Sequence, residues 1–365
     1  MLQAIDSAQR YILLEMYLIE SGAVAERFID AMLDAAERGV RIYLLFDDFG
    51  ALGLKQGDRE HLRHRNIHTV YYNPLASYSR LYNLYKILWR HIYRGLHRDH
   101  RKLLLVDGKV AFAGGTGVVD EFDPPAHPEK RWRETMVEIH GPVLKDWQLL
   151  FLEAWNKHAR DTLDLPRLEV DETSNGQQGR VTVNEMYRWR GMQRSLNRHI
   201  KRAEHRVWLA TAYFVPSWNL RRALKQAARK GVDVRILLPG PITDHPGARH
   251  AGRRYYRRLL NNGARIFEYQ PRFLHAKTVL CDNWVAIGST NYDRWNLQWN
   301  LEANQEIHDH DLAVRVRQVF EQDFAHCREY TYEDWRHRSW RLRMMEWFWR
   351  RIELLSLTLK DRRKK

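Results

Sequence analysis

Two hydrophobic periods alternate along this chain. Residues 2 to 10 read as a short helix, and Tyr11 to Leu18, YILLEMYL, as a buried strand. From Ala23 to Arg38 the apolar residues Val24, Phe28, Ile29, Met32, Leu33 and Ala36 recur at helical spacing, and Gly39 ends the run. Val40 to Phe46, VRIYLLF, is β-branched and aromatic and predicts a central strand. Strand, helix, strand at this spacing is a βαβ unit, which calls for parallel strands covered by helices.

The same phrase returns later. Ala203 to Phe214, Asn219 to Lys230 and Gly231 to Leu238 repeat the order, and AARKGVDVRILLPG answers AAERGVRIYLLFDD. Trp132 to His140 predicts a strand and Val143 to His158 a helix. The fold class expected from this duplication is α/β: two pseudo-twofold-related α/β lobes with mixed, largely parallel sheets flanked by helices. The first lobe covers 1–165, and a polar, aperiodic linker covers 166–179. The second lobe covers 180–335, followed by a basic amphipathic tail over 336–365. In that tail Trp340, Met344, Trp347, Phe348, Ile352 and Leu355 fall at helical spacing among arginines, which suits a bilayer interface or docking onto the protein. Between Tyr78 and Leu96 one apolar helical face with nearby Arg and Lys leaves the same two readings.

The candidate chemistry lies in a second duplication. HRKLLLVDGKVAFAGGTG, from His100, and FLHAKTVLCDNWVAIGSTN, from Phe273, each read His-x-Lys, four residues, Asp, then an apolar run into a glycine turn. On an extended chain residues two apart share a face, so His100 joins Lys102 and His275 joins Lys277. Each strand thus presents an imidazole beside an ammonium. Downstream, ETMVEIH from Glu134 echoes EANQEIH from Glu302. An acid there suits an orienting role, accepting a hydrogen bond from one imidazole nitrogen. Surface carboxylates are the plainer reading. Asp47, Asp48 and Asp58 follow the first central strand and read as solvated loop acids in preference to a metal site. Asp244, His245 and His250 fall in a loop over Gly240 to Arg253.

The paired motifs resemble the phospholipase D superfamily, whose HxKxxxxD repeats meet to form one active site. DHRKLLLVDGKVAFAGG, WRETMVEIHGPV and GSTNYDRWNLQWNLEAN are similar to bacterial cardiolipin synthases of the short form without N-terminal transmembrane helices, and the likeness covers nearly the whole chain. The resemblance implies a catalytic set of His100, Lys102, Asp107, His275, Lys277 and Asp282. Glu134 is expected on His100 and Glu302 on His275, with Ser289 and Asn291 gripping phosphate or bracing the turn. The first copy departs from the family pattern, with Gly117 where asparagine is common and Gly115 in place of serine. Asp107 and Asp282 read as structural acceptors. Asp282 lies one residue nearer its glycine turn than Asp107 does.

Charge agrees with an anionic partner. Lys plus Arg number 60 against 45 Asp plus Glu, a net +15, which points to nucleic acid or an acidic membrane surface. Only two cysteines occur, Cys281 and Cys327, which excludes a disulfide scaffold and a cysteine zinc cluster. No segment reaches the roughly 18 apolar residues of a membrane span, and the start lacks a signal-peptide pattern. The chain opens directly in helix and strand, where related proteins carry residues beforehand. The expected location is therefore peripheral, on the cytoplasmic side of the inner membrane.

Phosphodiester attack builds negative charge on non-bridging oxygens, which Lys102 and Lys277 can hold without a metal or other cofactor. An ammonium about 4 Å away supplies roughly 4 kcal/mol at an effective dielectric near 20. The resemblance implies phosphatidyl transfer between phospholipids: two phosphatidylglycerols give cardiolipin plus glycerol through a phosphohistidine on His100, with His275 as acid and base. Partners expected are phospholipid substrates and an anionic phospholipid membrane, not nucleic acid; oligomeric state is not readable. Three alternatives stay open on the residues alone: a phospholipase D hydrolase, a nuclease of the same superfamily, and a non-catalytic membrane scaffold.

Overall fold

The computed structural model describes residues 1–74, 97–166, 168, 177–184, 190–293, 300–337, 340 and 344. The predicted helix over Tyr78 to Leu96, most of the linker 166–179 and nearly all of the tail 336–365 lie outside the described residues. The chain divides into two compact units. One comprises Met1–Met192, Ala286–Thr290 and Leu297–His308; the other comprises Gln193–Val285, Asn291–Asn296 and Asp309–Lys365. Two mixed sheets flanked by helices carry the fold.

The first unit opens with α1 (Leu2–Asp6), β1 (Tyr11–Met16), α2 (Ala23–Glu37), β2 (Arg41–Asp47), α3 (Gln56–His61) and β3 (Ile67–Tyr72). It continues through β4 (Lys102–Val106), β5 (Val110–Gly114), β6 (Met136–Ile139), α4 (Leu144–His158) and β7 (Gln178–Asn184). Its sheet is ordered β3-β2-β1-β4-β5-β6. The strands β1, β2 and β3 run parallel, and β4, β5 and β6 add antiparallel hairpins. Alternation along β1 explains why both faces are covered. Ile12, Leu14 and Met16 pack with Ile29, Met32 and Ala36 of α2, whereas Tyr11 and Leu13 pack with Trp147, Leu150 and Phe151 of α4.

The second unit repeats this topology. It runs α5 (Arg190–Arg202), β8 (Arg206–Ala210), α6 (Trp218–Arg229), β9 (Asp233–Pro239), α7 (Pro246–Arg253), α8 (Tyr256–Leu260), β10 (Arg265–Tyr269) and β11 (Thr278–Cys281). Strands β8, β9 and β10 are parallel and β11 is antiparallel to β8, as β4 is to β1. The strand β12 (Trp284–Gly288) carries the chain back into the first unit, where β13 (Glu302–His308) pairs antiparallel with β7. Helix α9 (His310–Ala325), strand β14 (Cys327–Tyr330) and helix α10 (Tyr332–Arg336) complete the second unit, β14 lying antiparallel to β10.

The shared helix-ending phrase has a backbone cause. Gly39 and Gly231 take φ of +90° and +88° one residue beyond their helix caps, a left-handed conformation that favours glycine, and the chain turns there into the next strand. The segment expected as a loop before Arg253 is helical from Pro246, because proline in the first turn presets the helical φ and sacrifices no hydrogen bond.

The motif aspartates also repeat in space. The Asp107 carboxylate accepts the backbone N–H groups of Gln9, Arg10 and Tyr11, and Asp282 accepts those of Glu204, His205 and Arg206. Each sits at positive φ, +55° and +49°, at the hairpin end of its motif strand. The one-residue difference in spacing is absorbed in the turns, Gly108-Lys109 before β5 against Asn283 before β12. Asp107→Ala should lower stability by about 2–3 kcal/mol by stranding these donors, and Asp107→Asn by about 1 kcal/mol. Urea midpoints measure both, and a wild-type midpoint for the alanine variant contradicts the assignment.

Candidate active site

His100 precedes β4 and Lys102 is its first residue, so both side chains lie on one face of the strand. Both are buried. His100 Nδ1 lies 3.0 Å from Oε1 and 3.1 Å from Oε2 of Glu302, with the hydrogen bond made to Oε2. Ser289 Oγ donates to that same Oε2. The Lys102 ammonium donates to the His100 carbonyl at 2.6 Å and stands 5.0 Å from the centroid of the Tyr17 ring. The Tyr17 ring in turn lies 4.7 Å from the His100 imidazole. Burial pushes the Tyr17 phenol up to about 12, so it is a neutral wall.

Asp99 and Arg101, one residue either side of His100, face the other way. Arg101 grips Asp99 through Nε and a terminal nitrogen, each at 3.0 Å, and a terminal nitrogen lies 2.6 Å from Glu15 Oε1. Burial raises the Glu15 carboxyl well above the usual carboxylate range, whereas Arg101 overcomes burial to hold Asp99 below it. Asp47 is a further anchor, not the solvated loop acid expected. It is buried at the end of β2, where its carboxylate accepts the N–H groups of Phe49, Gly50 and Asp99. Burial pushes the Asp47 carboxyl up to about 7, against the pull of Arg98 at 3.6 Å and of the backbone donors.

Glu302 lies on His100, where the sequence repeat led to the expectation of Glu134. The cause is a parallel bridge in which His100 N–H donates to Leu301 O and Leu301 N–H donates to Arg98 O, at 3.0 and 2.9 Å. That bridge sets the residue after Leu301 beside the imidazole. Glu134, expected on His100, is half-buried and folds over Gly115. A Cβ at position 115 would lie 2.1 Å from Glu134 Oε2, so the missing serine leaves room for this carboxylate. Gly117 is similarly tight, its added Cβ 2.8 Å from Leu18 O.

In the second unit His275 and Lys277 are buried, and the ammonium lies 3.0 Å from Nδ1 and 3.1 Å from Nε2 of the imidazole. Cation and ring are thus close enough to touch one phosphate group together. Asn291 is buried, yet neither Oδ1 nor Nδ2 finds a hydrogen-bond partner among the described residues. A buried amide left so costs about 1–3 kcal/mol, which a phosphate oxygen would offset. Cys281 is a core residue of β11 whose thiol burial raises well above its ordinary range. No group of three or more His, Cys, Asp or Glu able to hold a metal ion occurs among the described residues.

Sequence reasoning missed Tyr17, Glu15, Asp99 and Arg101. A signal was available for three of them: Glu15 is a lone acid inside an apolar strand, and Asp99 and Arg101 flank His100 directly.

A domain family described as cardiolipin synthase, PLD-like domain, matches residues 1–149 and 196–324. The chain belongs to this family. Cardiolipin synthase A of Pseudomonas fluorescens is 33% identical over 346 residues, 93% of this chain and 69% of that protein. Cardiolipin synthase of Geobacillus kaustophilus is 29% identical over 350 residues, 94% of this chain and 67% of that protein. The fold matches the crystal structure of phosphatidylserine synthase from Haemophilus influenzae with a TM-score of 0.73 at 12% identity, over 98% of this chain and 91% of that one. The chain is accordingly an enzyme of the phosphatidyltransferase and phosphodiesterase class of the PLD-like family.

Glu302→Gln keeps the shape of the side chain and removes its charge. We expect kcat to fall about 10²–10⁴-fold with KM little changed, by analogy with other oriented imidazoles. Gly115→Ser should cost activity by displacing Glu134. Steady-state kinetics on both variants decide, and an unimpaired Glu302→Gln enzyme contradicts the orienting role.

Proposed function

We propose that this chain transfers a phosphatidyl group from one phosphatidylglycerol to another, yielding cardiolipin and glycerol. The observation that carries the catalytic half of this reading is the buried Glu302 carboxylate on His100 Nδ1. A proton held at Nδ1 leaves the lone pair on Nε2, the form an attacking imidazole needs. The family match and the cardiolipin synthase relatives support the lipid half.

In this mechanism His100 Nε2 attacks phosphorus, a P–N bond forms, and the bond from phosphorus to the headgroup glycerol oxygen breaks as His275 hands that oxygen a proton. The glycerol hydroxyl of the second phosphatidylglycerol then gives its proton to His275 and attacks phosphorus. The P–N bond breaks and His100 is restored. Lys102 and Lys277 neutralise the non-bridging oxygens through both steps, and Asn291 donates to one of them. Asp107 and Asp282 hold the two motif strands.

The enzyme works at the cytoplasmic face of the inner membrane as a peripheral protein. A net charge of +15 supports attraction to acidic lipid. Among the described residues no helix is long and apolar enough to cross a membrane.

The test incubates purified enzyme with phosphatidylglycerol in mixed micelles containing EDTA and resolves the products. Cardiolipin plus glycerol is expected; phosphatidic acid alone would make the enzyme a hydrolase, and DNA cleavage without lipid turnover a nuclease. His100→Ala, His275→Ala and the double variant should be equally inactive, at least about 10³-fold down, because the two rings act as a unit. Full activity in either single variant removes the mechanism.

A further inference from the structure

Tyr17 stands where the histidine and the lysine of the first motif meet. The Lys102 ammonium lies over its ring, 5.0 Å from the centroid, and the His100 imidazole packs against the same ring at 4.7 Å with a tilt of 60°. Burial pushes the phenol up to about 12, so at neutral pH the ring is uncharged and what it offers a cation is the negative face of its π system. The backbone that carries it is fixed from two sides. Met16, just before it, pairs with Lys102 across β1 and β4. The loop after β2 passes so close that a Cβ at Gly50 would lie 1.9 Å from the Tyr17 carbonyl oxygen, and Ile19 N–H donates to Gly50 O at 3.2 Å.

The fold itself does not demand a ring here. Glu15 pairs with Leu103 and Ala210 with Thr278, each opposite the residue after its motif lysine. Two residues further on, the first unit has Tyr17 and the second has Ala212. We propose that Tyr17 is a positioning residue of the first motif, its ring setting the Lys102 ammonium and the His100 imidazole at the separation where one phosphate group reaches both. A carboxylate in that place would cancel the charge of the lysine, whereas an aromatic face attracts an ammonium and leaves its charge to act on the non-bridging oxygens. This role rests on the phosphodiester chemistry proposed above.

The test follows total turnover of phosphatidylglycerol, with cardiolipin and phosphatidic acid summed, in variants at position 17. Tyr17→Leu should lower kcat about 5–30-fold, the equivalent of about 1–2 kcal/mol for a desolvated cation over a ring at about 1.4 kcal/mol per factor of ten. Tyr17→Phe should recover most of that loss, since the face is used and not the hydroxyl. Phenylalanines with one, two and three ring fluorines in place of Tyr17 separate attraction from packing, because the shape barely changes while the face loses electron density. kcat should fall stepwise with each fluorine. Equal rates across the fluorinated series overturn the proposal, as does a Tyr17→Leu enzyme at the wild-type rate or a Tyr17→Phe enzyme as slow as Tyr17→Leu. Should thermal unfolding show that Tyr17→Leu does not fold, the fluorinated series decides alone. A wild-type enzyme that yields only phosphatidic acid ends the transfer reading, and the fluorine ordering of its hydrolysis still decides the role of Tyr17.

Discussion

A carboxylate removed from water must find its compensation within hydrogen-bond reach, and Glu302 is fully buried. It finds the His100 imidazole and the Ser289 hydroxyl, and this demand fixes several parts of the chain at once. β13 has to lie with the first unit although it follows the second motif in sequence. Leu301 has to bridge Asp99, and the glycine turn has to end in Ser289. Each arrangement makes sense as a way of bringing one charge to one ring nitrogen. The chemical consequence is a tautomer: whichever proton His100 carries is drawn to Nδ1, away from the nitrogen that meets substrate.

Behind the imidazole a second polar layer keeps the strand from sliding. Arg101, Asp99 and Glu15 form one compensated cluster on the opposite face, and Asp47 ties the end of β2 to the backbone entering the motif. Such clusters cost desolvation and gain geometric definition from the charge partners they hold. The His-x-Lys strand is thus held from both faces, by ions as well as by apolar packing. A reacting group whose position matters to a fraction of an ångström needs that support.

Much of the fold was legible because periodicity is local. The duplicated strand–helix–strand phrase, the glycine that ends each helix and the paired motifs all announce themselves within a few residues. The site was legible as a parts list and not as a wiring diagram. Glu134 and Glu302 open echoing phrases downstream of their motifs, and symmetry in sequence suggested that each serves its own histidine. Spacing along a chain does not say which strand crosses over, and the bridge between Leu301 and Asp99 is a long-range event that no local pattern records. Asp47 misled for a related reason. An acid in DDFG after a strand looks like loop, and only the fold reveals that three backbone donors converge on it. Gly115 shows the converse, since its departure from the family pattern is explained once Glu134 is seen filling the space.

A carboxylate stands on His100 Nδ1 and an ammonium against the His275 ring. The proposal that His100 is the nucleophile rests on that carboxylate. Rapid quenching of the enzyme with phosphatidylglycerol under alkaline conditions, followed by proteolysis and mass spectrometry, tests it most directly. A phosphatidyl adduct on the peptide containing His100 is the predicted result. An adduct on the His275 peptide, with His100 unmodified, would contradict it.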